Sequence, residues 1–258
     1  MQATSADART VGRVMDLELQ WGTAEVTSGD EATLIEFRID GARREVDAAD
    51  VADVPFELGD PVRTFPSWPG KRNDEGSHAM TKAGRPVPFE SLTERSCLIE
   101  LDRLPDVVGV SSQPMWIRWR GEPDVRHAPD YFVRRADGSA ALIDVRPTEL
   151  IDDDAREKFN RTRATAARLG WNYVVYEGAS PVRQANLRFL MRYRSEAWRA
   201  DTRHLRPGSR CLEQIAGELG GGAEGLGRCY HLVWREEVAV DLEEPLSLGM
   251  TARVKGER

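Results

Sequence analysis

The sequence predicts a mixed α/β protein, in which helices pack on the faces of a mixed β-sheet, and three observations support this class. Residues 89–198 alternate between helical and β-rich patterns in the order helix, β-meander, helix, strand, helix. The dipeptide Asp137-Gly138 separates two of the strand patterns and is a strong signal for a β-hairpin turn. Hydrophobic residues make up 40% of the 258 residues and charged residues 31%, which is typical of a folded globular chain.

The same sequence excludes other classes of protein. No apolar run approaches the ~18 residues needed to cross a membrane, and residues 1–10 lack the apolar region of a secretory signal. The three cysteines (Cys97, Cys211 and Cys229) are scattered and form no CxxC motif, so they predict buried thiols in a reducing compartment. We therefore expect a cytoplasmic protein without a membrane partner.

Individual elements are clearest in the central region. Apolar residues at helical spacing predict a helix over 89–104, which Pro105 ends. Strands are predicted over 107–110, 115–120, 130–135 and 140–146. A second helix is predicted to begin at 152–154 and to end before Gly170, followed by a strand over 171–176 and a helix from Ser180 to about 198.

The flanking regions differ from the central region in composition. Residues 1–62 carry 14 acidic and 5 basic side chains, and two stretches within them, 14–21 and 33–39, alternate in polarity, so we predict a small acidic β-rich N-terminal unit. Residues 63–88 are rich in Pro, Gly and charge and predict a linker or loop. Two helical patterns and a β-hairpin pattern over 199–258 predict a winged-helix-like C-terminal domain. The central domain is therefore assigned to 89–198.

Charge is unevenly distributed along the chain. The net charge is −7, which argues against general binding to nucleic acid. Residues 156–194, however, carry nine basic side chains and two Glu, which favours a local contact with a nucleic-acid backbone. A solvated helix face explains the same segment equally well, and the sequence leaves the two interpretations open.

The hairpin around Asp137-Gly138 brings acids together. Antiparallel pairing places Asp130 level with residues 144–146, and a spacing of two puts Asp144 and Arg146 on one face. An unpaired carboxylate such as Asp144 is costly in an apolar strand. Two converging acids indicate a site for a hard cation such as Mg²⁺, whereas a salt bridge from either acid to Arg146 is the structural alternative.

A third acid lies on the preceding helix. Glu94 shares a helical stripe with Cys97, Leu98 and Leu101, which predicts that its side chain faces the protein interior. From that face it can reach the same strand ends as the two hairpin acids. A hydrogen bond from Glu94 to a nearby arginine is the structural alternative.

The segments that carry these acids resemble a known family. They read Ser91-Leu-Thr-Glu94-Arg95, Gln113-Pro114, His127-Ala-Pro-Asp130 and Ile143-Asp-Val-Arg-Pro147. They resemble the TnsA family, the endonuclease subunits of heteromeric transposases, within the PD-(D/E)xK nuclease superfamily. The likeness covers about 65–195 well and the C-terminal segment loosely. It implies a restriction-endonuclease-like αβββαβ core.

The resemblance also implies roles for individual residues. Glu94 matches the family's helix glutamate, Asp130 its first sheet ligand and Asp144 its second, with the Val145 carbonyl as a further metal ligand. Mg²⁺, for which Mn²⁺ can substitute, is the implied cofactor. Arg146 occupies the position of the family's lysine, and this is a departure from the pattern.

That departure leaves two explanations open. Arginine supplies 32 of the 36 basic residues, so Arg146 can reflect a general preference that leaves activity intact. Arginine stabilises a charged intermediate but does not act as a base near neutral pH, so the site can equally be impaired. Lys158, early in the next helix, is an alternative source of the lysine charge because its long stem can reach back to the sheet edge.

The resemblance implies DNA and protein partners. We predict that four side chains hold the DNA backbone: Arg156, Lys158, Arg161 and Arg163. The implied activity is cleavage at the 5′ ends of a transposon, beside a DDE-type integrase subunit and an ATPase regulator that contacts the C-terminal segment, in the bacterial cytoplasm. The alternatives are a catalytically silent subunit that binds DNA or a partner, and a standalone restriction- or repair-type nuclease.

Overall fold

The computed structural model of the protein describes residues 33–63, 74–80, 82–120 and 125–256. The chain divides into two compact units, with the boundary between Gly178 and Ala179. The described residues contain five α-helices and several small sheets, so the fold is a mixed α/β fold, as predicted. None of these helices is long and apolar enough to cross a membrane.

The first unit contains two four-stranded sheets. The first sheet has the order β2-β1-β6-β7 and consists of β1 (Thr33–Ile39), β2 (Ala42–Asp47), β6 (Met115–Trp119) and β7 (Arg126–His127). The second has the order β10-β9-β8-β5 and consists of β5 (Val107–Ser112), β8 (Tyr131–Arg135), β9 (Ala140–Val145) and β10 (Asn172–Tyr176). Strand β10 is parallel to β9, whereas the other pairs are antiparallel.

Aromatic packing holds the core of this unit together. The ring of Phe56 contacts those of Phe37, Phe132 and Trp171 at centroid distances of 5.1, 5.5 and 5.5 Å. Phe37 belongs to the first sheet and Phe132 to the second, so this buried cluster joins them. Such large aromatic side chains contribute much of the apolar surface that a core removes from water.

Helices and a small hairpin complete the first unit. The hairpin strands are β3 (Gly76–Ala79) and β4 (Pro86–Phe89), and the helices are α1 (Leu92–Arg103) and α2 (Asp153–Arg168). Ser91 caps α1 by accepting a hydrogen bond from the backbone N–H of Glu94, and Asp152 caps α2 in the same way through Ala155. Gly170, at φ +70°, follows α2 where a left-handed residue ends many helices.

The second unit is built from three helices and one sheet. The helices are α3 (Pro181–Leu190), α4 (Leu212–Glu218) and α5 (Gly222–Trp234). The strands β11 (Gly208–Cys211), β12 (Val238–Val240) and β13 (Thr251–Val254) form a sheet in the order β11-β13-β12. The buried Asn186 amide donates to the carbonyls of Leu242 and Glu244 at 2.8 Å each, which ties the segment between the last two strands to α3.

The structure differs from the predicted organisation at several points. The region predicted as a linker contains the β3–β4 hairpin, and the predicted central domain is divided, because the boundary between the two units places its last helix in the second unit. Strand β1 pairs with both β2 and β6, so residues 33–47 share a sheet with residues of the central region instead of forming a separate unit. The remainder of the predicted N-terminal unit, residues 1–32, and residues 64–73 of the predicted linker lie outside the described residues. The third predicted helix ends at Leu190, and two short 3-10 turns, Met191–Tyr193 and Glu196–Trp198, follow it.

Candidate active site in the first unit

Two of the predicted acids face each other at the open end of the β8–β9 hairpin. The turn at Asp137-Gly138, with Gly138 at φ +86°, sets a register in which Tyr131 pairs with Ile143. One position further along, this register brings Asp130 to the level of Asp144, close enough for their charges to interact. The backbone N–H of Val145 donates to Asp130 Oδ2 at 2.7 Å, which fixes the first carboxylate at the strand end.

Asp144 is held by side chains from two other strands. His127 Nε2 lies 2.8 and 2.9 Å from its two carboxylate oxygens, and the Tyr173 hydroxyl donates to Oδ2 at 2.5 Å. Asp144 is only 2% exposed, so these contacts replace water around its charge. Strand β7 supplies His127 through its pairing with Ile117, and the parallel register of β10 on β9 puts Tyr173 beside Leu142.

The electrostatics of Asp130 are unfavourable for a carboxylate. Burial raises its pKa well above the usual range, and the nearby charges of Asp144 and Glu94 raise it further. The Val145 N–H and the more distant Arg63 lower it by less. Burial and the Asp144 carboxylate likewise raise the pKa of Tyr173, so its hydroxyl stays protonated and remains a hydrogen-bond donor.

Glu94 lies near these acids, but its carboxylate is hydrogen-bonded to residues at the start of α1. Its carboxylate accepts hydrogen bonds from the backbone N–H of Glu90 at 2.8 Å and from Ser91 Oγ at 3.0 Å. Burial raises the pKa of Glu94, and the hydrogen bonds oppose that rise. Its charge reaches Asp130, yet it is absent from the described residues that line the cavity beside Asp130 and Asp144.

The two aspartates line an open cavity of about 260 Å³, which we call the acidic cavity. Four cationic side chains also line it: Arg63, Arg126, Arg146 and Lys158. Val145, His127 and the partly buried Trp116 complete much of the wall. The aspartates suit a metal cation, and the surrounding cationic side chains suit a negatively charged group. The cavity as a whole therefore suits an anionic ligand that is accompanied by a metal cation.

Arg146 is directed to a backbone carbonyl and a different acid. Its Nε donates to the Leu150 carbonyl at 2.6 Å, and Nη2 lies 3.6 Å from Asp152 Oδ2. Within the described part of the chain, neither Asp130 nor Asp144 forms an ion pair with it. The salt bridge that the spacing offered as an alternative is therefore not formed.

The four predicted DNA contacts occupy different environments on α2. Lys158 is exposed and lines the acidic cavity. Arg161 lies over the Trp119 ring and bonds Glu157 at 2.8 Å, whereas Arg163 lies over the Tyr173 ring at 5.3 Å. Arg156 is exposed, with Asp153 4.0 Å away. The helix does not present all four as one unengaged basic face.

Two residues of the site have only weak signals in the sequence. His127 stands in the segment that leads to Asp130, and in the structure its ring bonds Asp144. Tyr173 falls within the strand predicted over 171–176, and its hydroxyl also bonds Asp144. Its signal was a hydroxyl in an apolar run, because a buried tyrosine hydroxyl needs a partner.

The two carboxylates suit a divalent cation that keeps several of its waters, and they do not form a complete set of protein ligands. Among the described residues, no group of three or more His, Cys, Asp or Glu side chains is arranged to hold a metal ion. Mg²⁺ usually keeps several waters and is bound by one or two carboxylates. Asp130 and Asp144 supply such oxygens, and a bound cation would relieve the repulsion between them, which adds to burial in raising the pKa of Asp130.

Comparison with known proteins adds no family assignment. No protein-family model matches the chain, and no curated protein matches it. The acidic cavity and the sequence motifs are therefore the features of this chain that bear on its function.

Proposed function

We propose that this protein is a Mg²⁺-dependent DNA endonuclease, similar to the TnsA-like subunits of heteromeric transposases. The observation that carries the proposal is that Asp130 and Asp144 line one cavity together with four cationic side chains. The two acids are suited to a hard cation, and the cations are suited to a phosphodiester. The order α1, β5, β8, β9, α2, β10 supports a restriction-endonuclease-like αβββαβ core.

The chain's own residues perform the positioning in this mechanism. Asp130 and Asp144 would hold the cation, with the Val145 carbonyl as a further oxygen and Glu94 close enough to add negative charge. When bound, the metal polarises the scissile phosphate and lowers the pKa of a bound water. His127 and Tyr173 fix the rotamer of Asp144, and the positive charge along the cavity wall would attract the phosphate.

Other parts of the chain support the wider assignment. The two helices α4 and α5, followed by β12 and β13, support a winged-helix-like second unit. Residues 195–258 carry eleven acidic and nine basic side chains, so a protein is a better partner for them than the DNA backbone. We infer that this unit docks an ATPase regulator, while a DDE-type integrase acts beside the nuclease unit at the transposon ends.

One set of contacts favours a second candidate function, a catalytically silent subunit. Both oxygens of Asp144 are already engaged by His127 and Tyr173, and Arg146 is turned to Leu150 and Asp152. A subunit with these features would keep DNA or partner binding and lose hydrolysis. Metal binding without cleavage would favour this candidate over the endonuclease.

The first experiment measures thermal unfolding with Mg²⁺ and Mn²⁺. We expect either metal to stabilise the wild type, by about 2.7 kcal/mol at 100-fold saturation, and to leave Asp130→Ala unaffected. Asp53→Ala is the matched control because Asp53 is exposed in the same unit, and it should respond as the wild type does. An equal metal response in Asp130→Ala would contradict the proposed site.

The second experiment measures cleavage. With Mg²⁺ and the partner subunits, the wild type and Asp53→Ala should cut DNA that carries transposon ends and leave 5′-phosphate and 3′-hydroxyl groups. Asp130→Ala and Asp144→Ala should not cut. A wild type that binds the metal and never cuts would establish the silent subunit instead.

A further inference from the structure

The four cationic side chains of the acidic cavity differ in the contacts that they already make. Arg63 Nη2 lies 3.1 Å from Glu90 Oε1, so its charge is shared with an acid. The Arg126 guanidinium lies over the Trp116 ring, 4.2 Å from its centroid. Each of these two groups would have to leave a favourable contact, or share it, to bind an incoming anion.

Arg146 also has contacts already, with the segment that follows β9. Its Nε donates to the Leu150 carbonyl at 2.6 Å, a distance typical of a strong charge-assisted hydrogen bond. Its Nη2 lies 3.6 Å from Asp152, which is the N-cap residue of α2. Moving Arg146 toward the cavity would leave the Leu150 carbonyl without this donor.

Lys158 differs from the other three. Its side chain is exposed, whereas Ala155 and Phe159 on the same helix are buried. Together with both aspartates, Lys158 lines the acidic cavity. In the part of the chain that the structure describes, its ammonium group has no hydrogen bond or ion pair. A compact ammonium on a flexible four-carbon stem can follow a phosphate without giving up an existing contact.

We propose that Lys158, and not Arg146, is the cation that binds the phosphate group entering the acidic cavity. This inference rests on the proposed function for the identity of the anion, a phosphodiester held beside a divalent cation. The sequence motif places a positive side chain directly after β9, at Arg146, whereas this inference assigns that role to Lys158 on α2. The two aspartates then bind the divalent cation from the sheet, and Lys158 binds the phosphate from the helix.

Binding of a small phosphate ligand tests this assignment without cleavage. The probe is thymidine 3′,5′-bisphosphate, titrated calorimetrically into the full chain with Ca²⁺ and also without any divalent cation. Loss of one charge-assisted hydrogen bond corresponds to a loss of affinity of about tenfold or more. Lys158→Gln should show that loss in the Ca²⁺ series, Lys158→Arg should restore most of the affinity, and Arg146→Gln should stay within about threefold of wild type.

Lys255→Gln is the matched control because it removes the same charge from an exposed lysine in the other unit. It should bind the probe as the wild type does. Equal affinity in Lys158→Gln and wild type overturns the proposal, and so does a loss in Arg146→Gln as large as that in Lys158→Gln. A wild type that does not bind the probe overturns it as well.

One further variant separates this inference from the proposed function. Asp130→Ala should abolish the enhancement of probe binding by Ca²⁺ if the acids bind a cation. If Ca²⁺ has no effect on the wild type, the metal site fails. Dependence of metal-free binding on Lys158 would then still support the phosphate assignment, whereas its absence would overturn both.

Discussion

Two groups of acidic side chains in the first unit have opposite surroundings. On α1, Asp102 Oδ2 lies 3.4 Å from His78 Nε2 and Glu100 lies 3.8 Å from Arg103, so each acid has a basic side chain beside it. Glu94, Asp130 and Asp144 lie near one another instead, and burial together with the neighbouring acids raises the pKa of Asp130. We call the first group the paired charges and the second the acid cluster.

The difference separates a structural role from a functional one. A buried pair is neutralised by the fold itself, so it needs nothing from outside the chain. A cluster of acids next to a cavity, in which burial and neighbouring acids raise the pKa of Asp130, is what functional sites require and folding alone does not. Removing one member of a pair is therefore expected to destabilise the protein. The acid cluster, in contrast, is itself expected to be destabilising until a cation binds.

Breaking one of the paired charges should give the largest effect. Asp102 is 1% exposed and His78 is 5% exposed, so Asp102→Ala leaves a buried imidazole without this partner. We expect the free energy of unfolding to fall by about 3–5 kcal/mol, as when one member of a buried pair is removed. Urea denaturation of the variant beside Asp53→Ala measures the loss, and equal midpoints for the two variants would contradict the structural role of the pair.

Local sequence signals predicted much of the site. The Asp137-Gly138 turn predicted the hairpin, and its register does place Asp130 opposite Asp144. Ser91 and the apolar spacing after it predicted a helix with Glu94 in its first turn, and α1 begins at Leu92. These features depend on residues close together in the chain, where turn chemistry and helical periodicity act directly.

Features that depend on distant residues could not be predicted in the same way. The pairing of β1 with β6 joins residues about eighty positions apart, and no local pattern specifies that partner. The contact of Tyr173 with Asp144 depends on the parallel register between β9 and β10. Arg146 lies at the motif position, but its direction is set by the Leu150 carbonyl in the turn that follows β9. Spacing indicates which residues approach one another, and the folded chain decides how each side chain is used.

A smaller loss should follow when a donor to the acid cluster is removed. Tyr173→Phe deletes the hydroxyl that donates to Asp144 Oδ2 at 2.5 Å. We expect a loss of about 1.5–3 kcal/mol, as for a hydrogen bond to a charged group, measured by urea denaturation at neutral pH. Tyr193→Phe is the comparison variant, and its midpoint should move by less. A midpoint in Tyr173→Phe that equals that of the wild type would show that the hydroxyl does not stabilise Asp144.

The smallest expected effect is a gain in stability instead of a loss. Asp130→Asn keeps an oxygen that can accept the Val145 N–H and removes the charge that burial and neighbouring acids disfavour. In the absence of metal, we expect the melting temperature at neutral pH to rise by about 2–4 °C, the shift per kcal/mol in a domain of 150–250 residues. Asp53→Asn, at an exposed position, should leave it unchanged.

The pH dependence of that gain decides whether charge is its cause. Because the folded protein raises the pKa of Asp130 above its ordinary value of 3.8, the folded state binds the proton more tightly than the unfolded chain does. Below the ordinary value the carboxyl is neutral in both states, so Asp130→Asn and the wild type should be equally stable. As the pH rises through the raised pKa, the wild type loses stability and the variant does not, so the gap should widen toward neutral pH. A gap of constant size from acid to neutral pH would assign the gain to packing, and the acid cluster would then no longer differ from the paired charges by its unbalanced charge.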